Sequence, residues 1–254
     1  MNIIDVNIDK VVETGFFCKM SQKKNEGYKR KLNWLKSRFD EGLKIKMLDL
    51  KNEGERGFIE YIPGKFAWRA VHAEDFMFIH CLWVVGKSKG KGFSSVLLEE
   101  CIEDAKRGGF NGVAMVVSEG NWLARKDILV KLGFKSVDKA PPAFDLMVLK
   151  FKECDDPFFP NDWDARIAKH NKGFTVIRTD QCPYLDDAVN TIKDYAKKEK
   201  IKFTEIEIKS SEQLRKISPS AYGVFSVIYN GKLLSYHYLL PKDIDPAIKL
   251  LSAS

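Results

Sequence analysis

Residues 79–98, IHCLWVVGKSKGKGFSSVLL, constrain the fold more than any other stretch. An apolar run ends in a loop of alternating glycine and lysine, and a helical pattern follows at once. That order is strand, basic glycine loop, helix. Glycine lets a backbone approach a ligand closely. A helix N-terminus offers N–H groups that lack intrahelical partners, together with the positive end of a dipole, so it suits phosphate. Lys87, Lys89 and Lys91 add point charges. A ligand bearing phosphates is therefore expected on Lys87, Ser88, Lys89, Gly90, Lys91, Gly92, Phe93 and Ser95.

The net charge of +7 favours anionic ligands without naming one. Most lysines alternate with acids, as on a solvated surface. No aromatic-interleaved basic patch occurs, so nucleic acid is not an expected partner. No apolar run reaches about 18 residues, so no membrane partner is expected. Residues 1–5 lack the pattern of a signal peptide. Cys18, Cys81, Cys101, Cys154 and Cys182 are widely spaced and contain no C-x-x-C pair. Neither a zinc ribbon nor a disulfide framework is indicated, which fits a reducing cytoplasm and no metal.

Periodicity gives an α/β chain, an α+β mixed sheet followed by a smaller αβ unit. Residues 2–7, 43–50, 57–62, 76–85, 113–117 and 144–151 read as strands. Residues 27–39, 93–107 and 122–132 read as helices, 10–20 as mixed helical and 66–71 as extended. Residues 153–173 hold Pro157, Pro160 and few periodic apolar positions, so a linker is expected there. The domains are thus 1–152 and 174–254. The second reads as strand 174–178, helix 182–198, strand 202–208, helix 211–217, a hairpin (223–229 and 232–239) and helix 243–251. Asn230-Gly231 is a type I′ turn signal within that hairpin.

Three phosphate-loop readings compete. A Walker loop fails because its leading glycine position is Cys81, inside a strand. A dinucleotide fingerprint, Gly90-x-Gly92-x-x-Ser95, lacks its third glycine and comes after some 80 residues of other structure. The third reading is a family resemblance. Lys87-x-x-Gly90-x-Gly92 after a central strand resembles the pyrophosphate loop of GNAT N-acetyltransferases. Asn121, Ala124 and Lys131-Leu132-Gly133-Phe134 are similar to a later segment of that superfamily, and the element order over residues 2–151 matches too.

The resemblance implies acetyl-CoA as cofactor and direct acetyl transfer to the amine of a small molecule or peptide. Acetyl-CoA would lie where the central strand splays from the next. Main-chain groups of Leu82, Trp83 and Val84 would bond the pantetheine and the thioester carbonyl. The loop would hold the pyrophosphate, and Asn121 the pantetheine arm. Many relatives carry a tyrosine four residues before the Gly-Phe pair as general acid; here that position is Leu129. Glu60, His72, Glu74, Asp75, His80 and Glu119 are the candidate titrating groups. His80, in an apolar strand, reads first as a packed core histidine and second as a titrating group. Glu119 reads as a cleft-facing carboxylate or as an acid complementing a helix N-terminus. Trp68-Arg69 lines either the acceptor side or a shielding strand pair.

Residues 174–254 resemble the YoaP-type domain that follows a GNAT domain in some bacterial proteins, with a thioredoxin-like order of elements. Asp180-Gln181-Cys182-Pro183-Tyr184 also resembles a glutaredoxin entry, and a thiol at a helix N-terminus is acidified. Leu185 stands where a resolving cysteine would be, so dithiol exchange is not expected. Cys182 acts as a single thiol or only shapes the helix start. Two other classes of function remain: a CoA-binding module without catalysis, given Leu129, and a monothiol redox or sensor protein using Cys182. The acceptor carries no readable signature, and the sequence leaves room for a homodimer.

Overall fold

The computed structural model describes residues 2–48, 55–86, 88, 90–119 and 123–253. They group into two compact units. The first is residues 1–23, 32–67 and 71–159; the second is residues 24–31, 68–70 and 160–254.

In the first unit, β1 (Ile3–Val6) is followed by α1 (Val11–Thr14), α2 (Glu26–Phe39), β2 (Lys44–Leu48) and β3 (Glu55–Pro63). Then come β4 (Met77–Gly86), α3 (Phe93–Arg107), β5 (Gly112–Ser118), α4 (Lys126–Lys131), β6 (Lys135–Ala140) and β7 (Phe144–Lys150). The division between units falls within α2, after Lys31. The sheet order is β1-β2-β3-β4-β5-β7-β6. Every neighbouring pair is antiparallel except β4 and β5. A parallel pair needs a crossover, and α3 supplies it.

Helical spacing along α3 buries Leu97, Leu98, Cys101, Ile102 and Ala105. Strand spacing in β3, β4 and β5 aims Ile59, Tyr61, Met77, Ile79, Val113, Met115 and Val117 at the same core. Each large apolar side chain buried there contributes about 1.5–3 kcal/mol before the entropy of ordering is subtracted. The helix stops at Gly108, whose N–H donates to Asp104 O at 2.9 Å.

A polar cluster ties α3 to the β1–β3 side of the sheet. Tyr61 Oη donates to Asp104 at 2.6 Å, Lys44 Nζ donates to it at 2.9 Å, and Arg107 pairs with it as well. Lys46 Nζ donates to Glu100 at 2.7 Å. Burial alone would raise the Asp104 carboxyl. The hydrogen bonds from Tyr61, Lys44 and Arg107 outweigh it and hold the group down at about 2. Burial first, and Asp104 second, push the Tyr61 phenol up. A carboxyl lowered in the fold stabilises it above the unfolded value near 3.9, and that stabilisation is lost as pH falls toward 2. Lys44 and Arg107 are 49% and 69% exposed, so solvent screening reduces the contribution to about 1 kcal/mol. Acid titrations followed by circular dichroism should show this loss between pH 4 and 2, and it should be absent in Asp104→Asn.

In the second unit, α5 (Trp163–Ala168), β8 (Phe174–Arg178), α6 (Leu185–Lys198), β9 (Phe203–Glu207) and α7 (Ser211–Ile217) precede β10 (Phe225–Tyr229), β11 (Lys232–Ser235) and α8 (Pro241–Ala253). The sheet order is β11-β10-β8-β9, with β8 and β9 parallel and the other pairs antiparallel. Asn230 and Gly231 both have positive φ, 48° and 77°, as a type I′ hairpin requires. Arg178 is buried and pairs with Asp180 at 2.6 Å and Glu205 at 2.8 Å.

The structure departs from the sequence expectations in several places: the helix expected at 122–132 spans Lys126–Lys131, the strand expected at 232–239 ends at Ser235, and four further differences follow. Strand β6 does not show in the pattern because a bulge between Ser136 and Asp138 breaks its alternation, and an edge strand tolerates charge. Residues 66–71 are not extended: a 3-10 turn occupies Gly64–Phe66 and bends follow. The stretch 153–173 holds α5, whose Trp163 and Arg166 are buried. Helix α6 starts at Leu185, so Cys182 precedes it.

Candidate active site

Strand β4 keeps one partner along its length and loses the other after its third residue. Its pairing with β3 runs from Met77 to Gly86. Its pairing with β5 covers only Met77, Ile79 and Phe78 between them, set against Val113, Met115 and Ala114, and stops there. Strand β5 continues to Ser118 along β7. From Leu82 to Gly86, β4 thus has β3 on one side and no strand on the other, among the described residues. The cause is local. The β3–β4 register slips between Glu60 and Tyr61: Glu60 faces Cys81 while Tyr61 faces Ile79. His80 is the extra residue of a bulge, and a bulge bends and twists its strand.

The open end of β4 leads into the glycine loop. Gly86, Gly90 and Gly92 have φ of 63°, 77° and 79°. A Cβ at Gly90 or Gly92 would meet nothing described within 4 Å, so the backbone angle, and not crowding, calls for glycine there. Gly92 is the N-cap of α3 and supplies no side-chain cap, and the first turn carries no acid. A 15-residue helix thus presents uncapped N–H groups beside the loop. This arrangement fits an anionic group such as a pyrophosphate.

The structure brings several expected residues to this place. Leu82 and Val84 pack against the α3 core, while Trp83 is 40% exposed. Phe93 and Ser95 are half-buried in the first turn of α3, and Lys91 is exposed. Ser88 turns inward: it is buried, and its Oγ accepts the Arg56 N–H at 2.8 Å. Its hydroxyl therefore braces β3, while its backbone stays in the loop. Glu119 follows the last residue of β5 and is exposed. Lys87, Lys89 and Asn121 lie outside the described residues.

Other candidates are placed elsewhere or enclosed. The His80 side chain is 0% exposed, with Nδ1 at 3.2 Å from Glu60 Oε1. Trp34 and Phe78 flank its ring at 6.1 and 6.3 Å between centroids. As a catalytic base His80 is corrected to a packed histidine within hydrogen-bond distance of Glu60 at the bulge, because an acceptor cannot reach a fully enclosed ring. His72 stacks on Phe158 at 4.8 Å and bridges it through the backbone. Leu129 is fully buried in the α3 core, so a hydrocarbon fills the place expected for the general acid. A cavity of about 510 Å³, lined by Lys44, Lys46, Asp104 and Arg107 among others, lies at the β1–β2 edge and not along the open end of β4.

Within the second unit, Arg69 is buried. It donates to Gln181 Oε1 at 2.6 Å and to Trp68 O at 2.7 Å, with its guanidinium 5.2 Å from the Tyr222 ring. Cys182, next to Gln181, is half-buried. No disulfide links any of the five cysteines.

One row of side chains on β3 was singled out from the sequence only at Glu60. Arg56, Phe58 and Glu60 alternate along β3 opposite Val85, Trp83 and Cys81. The period-two spacing was available. The bulge that sets the register was not.

The Acetyltransferase (GNAT) family model matches residues 13–134. Over 99% of its length the chain is 32% identical to the uncharacterized N-acetyltransferase YoaP of Bacillus subtilis (strain 168), covering 100% of that protein. The chain belongs to the GNAT acetyltransferase family. It is an acetyl-CoA-dependent acyltransferase. Among solved structures, it is similar to the putative acetyltransferase YncA of Salmonella typhimurium with acetyl-CoA. That match has a TM-score of 0.43 and 17% identity, and covers 63% of this chain and 98% of that one. It is also similar to the PaiA N-acetyltransferase of Thermoplasma acidophilum in complex with coenzyme A. There the TM-score is 0.41 and the identity 17%, covering 59% of this chain and 100% of that one. No helix among the described residues is long and apolar enough to cross a membrane.

Proposed function

We propose that the protein acetylates the amine of a small molecule or peptide by direct attack on the thioester, at the open end of β4. The observation that carries this reading is the coincidence of two features. Strand β4 loses β5 after Ile79, and six residues after β4 ends an uncapped helix begins behind Gly90 and Gly92. Bound acetyl-CoA supplies the activated acetyl group.

The chain's own groups do the rest. Main-chain groups of Leu82, Trp83 and Val84, which no second strand occupies among the described residues, orient the pantetheine and the thioester carbonyl. The backbone of Lys87, Ser88, Lys89, Gly90, Lys91 and Gly92, with the first N–H groups of α3 at Phe93 and Ser95, neutralises the pyrophosphate. Asn121 fixes the pantetheine arm. Each preorganised donor at the developing oxyanion contributes about 3 kcal/mol. Glu119 takes the proton of the attacking amine, directly or through one water, because it is exposed at the end of β5. Leu129 has no proton to give, so solvent protonates the departing thiolate.

The functional division follows residues 1–152 and 174–254, joined through 153–173. The order β9-β8-β10-β11, with one parallel and two antiparallel pairs, supports a thioredoxin-like second domain. Cys182 stands ahead of its first helix as a single thiol; Leu185, buried in α6, excludes dithiol exchange. The five cysteines without disulfides fit a reducing cytoplasm. The first test is turnover: acetyl-CoA is mixed with a broad amine panel and thiol release is followed. Acetylation of any amine supports the proposal, and thiol release by hydrolysis alone supports a CoA-binding module without catalysis. Alkylating Cys182 is expected to change acetylation less than about twofold. A larger loss would give the thiol a part in the reaction.

A further inference from the structure

The row of side chains on β3 and β4 that faces away from α3 is aromatic where β4 is open. Phe58 and Trp83 are register partners. Phe17, from the loop after α1, stacks on Phe58 with centroids 4.6 Å apart and lies 6.3 Å from Trp83. The Arg56 guanidinium sits 5.2 Å from the Phe17 ring centroid. Phe17 and Phe58 are buried at 5% and 2% exposure, so both are committed to this packing. Trp83 is different: at 40% exposure it shows more surface than any other large aromatic among the described residues of the first unit except Phe158.

Two features mark this group as more than core. Phe17 has φ of 81°, a left-handed conformation that a bulky side chain adopts only when its surroundings hold it there. Such strain concentrates at ligand-binding positions. The exposed indole also belongs to the segment of β4 whose other edge has no strand among the described residues. Its own main chain is one of the groups assigned above to the acetyl donor. A ligand resting on Trp83 is therefore next to the acetyl group by construction.

We infer that the acceptor is an amine carried on a short alkyl arm from an aromatic ring, and that Trp83 selects it. This inference rests on the acetyltransferase reading above. The ring lies against the Trp83 indole, propped from behind by Phe17 and Phe58. Aromatic pairs gain attraction beyond the area they bury. The amine points along the strand toward Cys81, opposite Glu60, where β4 leaves β5. That is two residues, or about 7 Å, from Trp83. Alkyl amines and polyamines have no flat ring to lay on this wall. Trp83 is a specificity-determining residue, and it takes no proton.

The test compares acceptors. The kcat/KM of phenylethylamine and tryptamine is measured against that of butylamine and spermidine, in the wild type, Trp83→Ala and Trp83→Phe. The wild type should favour the aryl amines at least tenfold. Trp83→Ala should bring the ratio to within about twofold of one, mainly through KM, and Trp83→Phe should keep most of the preference. Three results would overturn the inference: no aryl amine accepted, a wild-type ratio of one or less, or equal losses on all acceptors in Trp83→Ala. Acetyl-CoA binding, measured by calorimetry without acceptor, separates this failure from that of the underlying reading. Tight binding with the wrong acceptor preference removes only the aromatic wall, whereas absence of binding removes both.

Discussion

The double variant Gly90→Ala, Gly92→Ala is expected to bind acetyl-CoA at least about 25-fold more weakly than the wild type while remaining folded. The argument is conformational. Both glycines have φ near 78°, where alanine is strained by roughly 1–2 kcal/mol. Neither added Cβ would touch any described atom within 4 Å, so the variants introduce no clash with the core. The strain is relieved when the loop shifts, and a shifted loop no longer aims its N–H groups at one anion. Two such penalties together exceed 2 kcal/mol, and each 1.4 kcal/mol is a factor of ten. Calorimetric titration with acetyl-CoA measures the loss, and the unfolding midpoint checks the fold. Retained affinity would mean that the loop does not cradle the pyrophosphate.

Glu119 and His80 should part company under substitution. Glu119→Gln is expected to lower kcat about 100-fold with no change in unfolding midpoint, because general-base contributions are of this size and the side chain is exposed. His80→Ala is expected to cost about 3 kcal/mol of stability, since it empties an enclosed site between Trp34 and Phe78 and removes a contact with Glu60. Its kcat per folded molecule should fall far less than that of Glu119→Gln. If the order is reversed, with His80→Ala the inactive variant and Glu119→Gln normal, the proton goes to the bulge histidine. That outcome would require the acceptor to open the Trp34 side of the pocket.

The loop, the central strand and the α3 face were legible because each rests on local rules. Alternation, helical spacing and glycine placement need no partner to be recognised. The bulge at His80 was not legible, although it creates the gap that the glycine loop serves. It is a property of β3 and β4 together: Glu60 pairs with Cys81 and Tyr61 with Ile79, and neither strand alone shows the slip. His80 was legible as a packed histidine from its apolar strand, and it is packed; which residues enclose it was not legible. Its burial follows from neighbours on α2 and β3 that are distant in sequence. Edge strand β6, the helix α5 inside the expected linker, and the left-handed Phe17 were missed because their stabilising contacts are likewise non-local. The departure at Leu129 was legible as a hydrocarbon in the sequence, and the structure buries that side chain in the α3 core.

The central claim is that the acetyl donor occupies the open end of β4. Amide hydrogen exchange with and without acetyl-CoA tests it most directly. The account predicts that ligand slows exchange at Leu82–Val84 and at Gly90–Ser95, and leaves the β1–β2 edge and the segment around Cys182 unchanged. Unchanged exchange at both of the first two segments, or protection confined to the residues around Cys182, would contradict it.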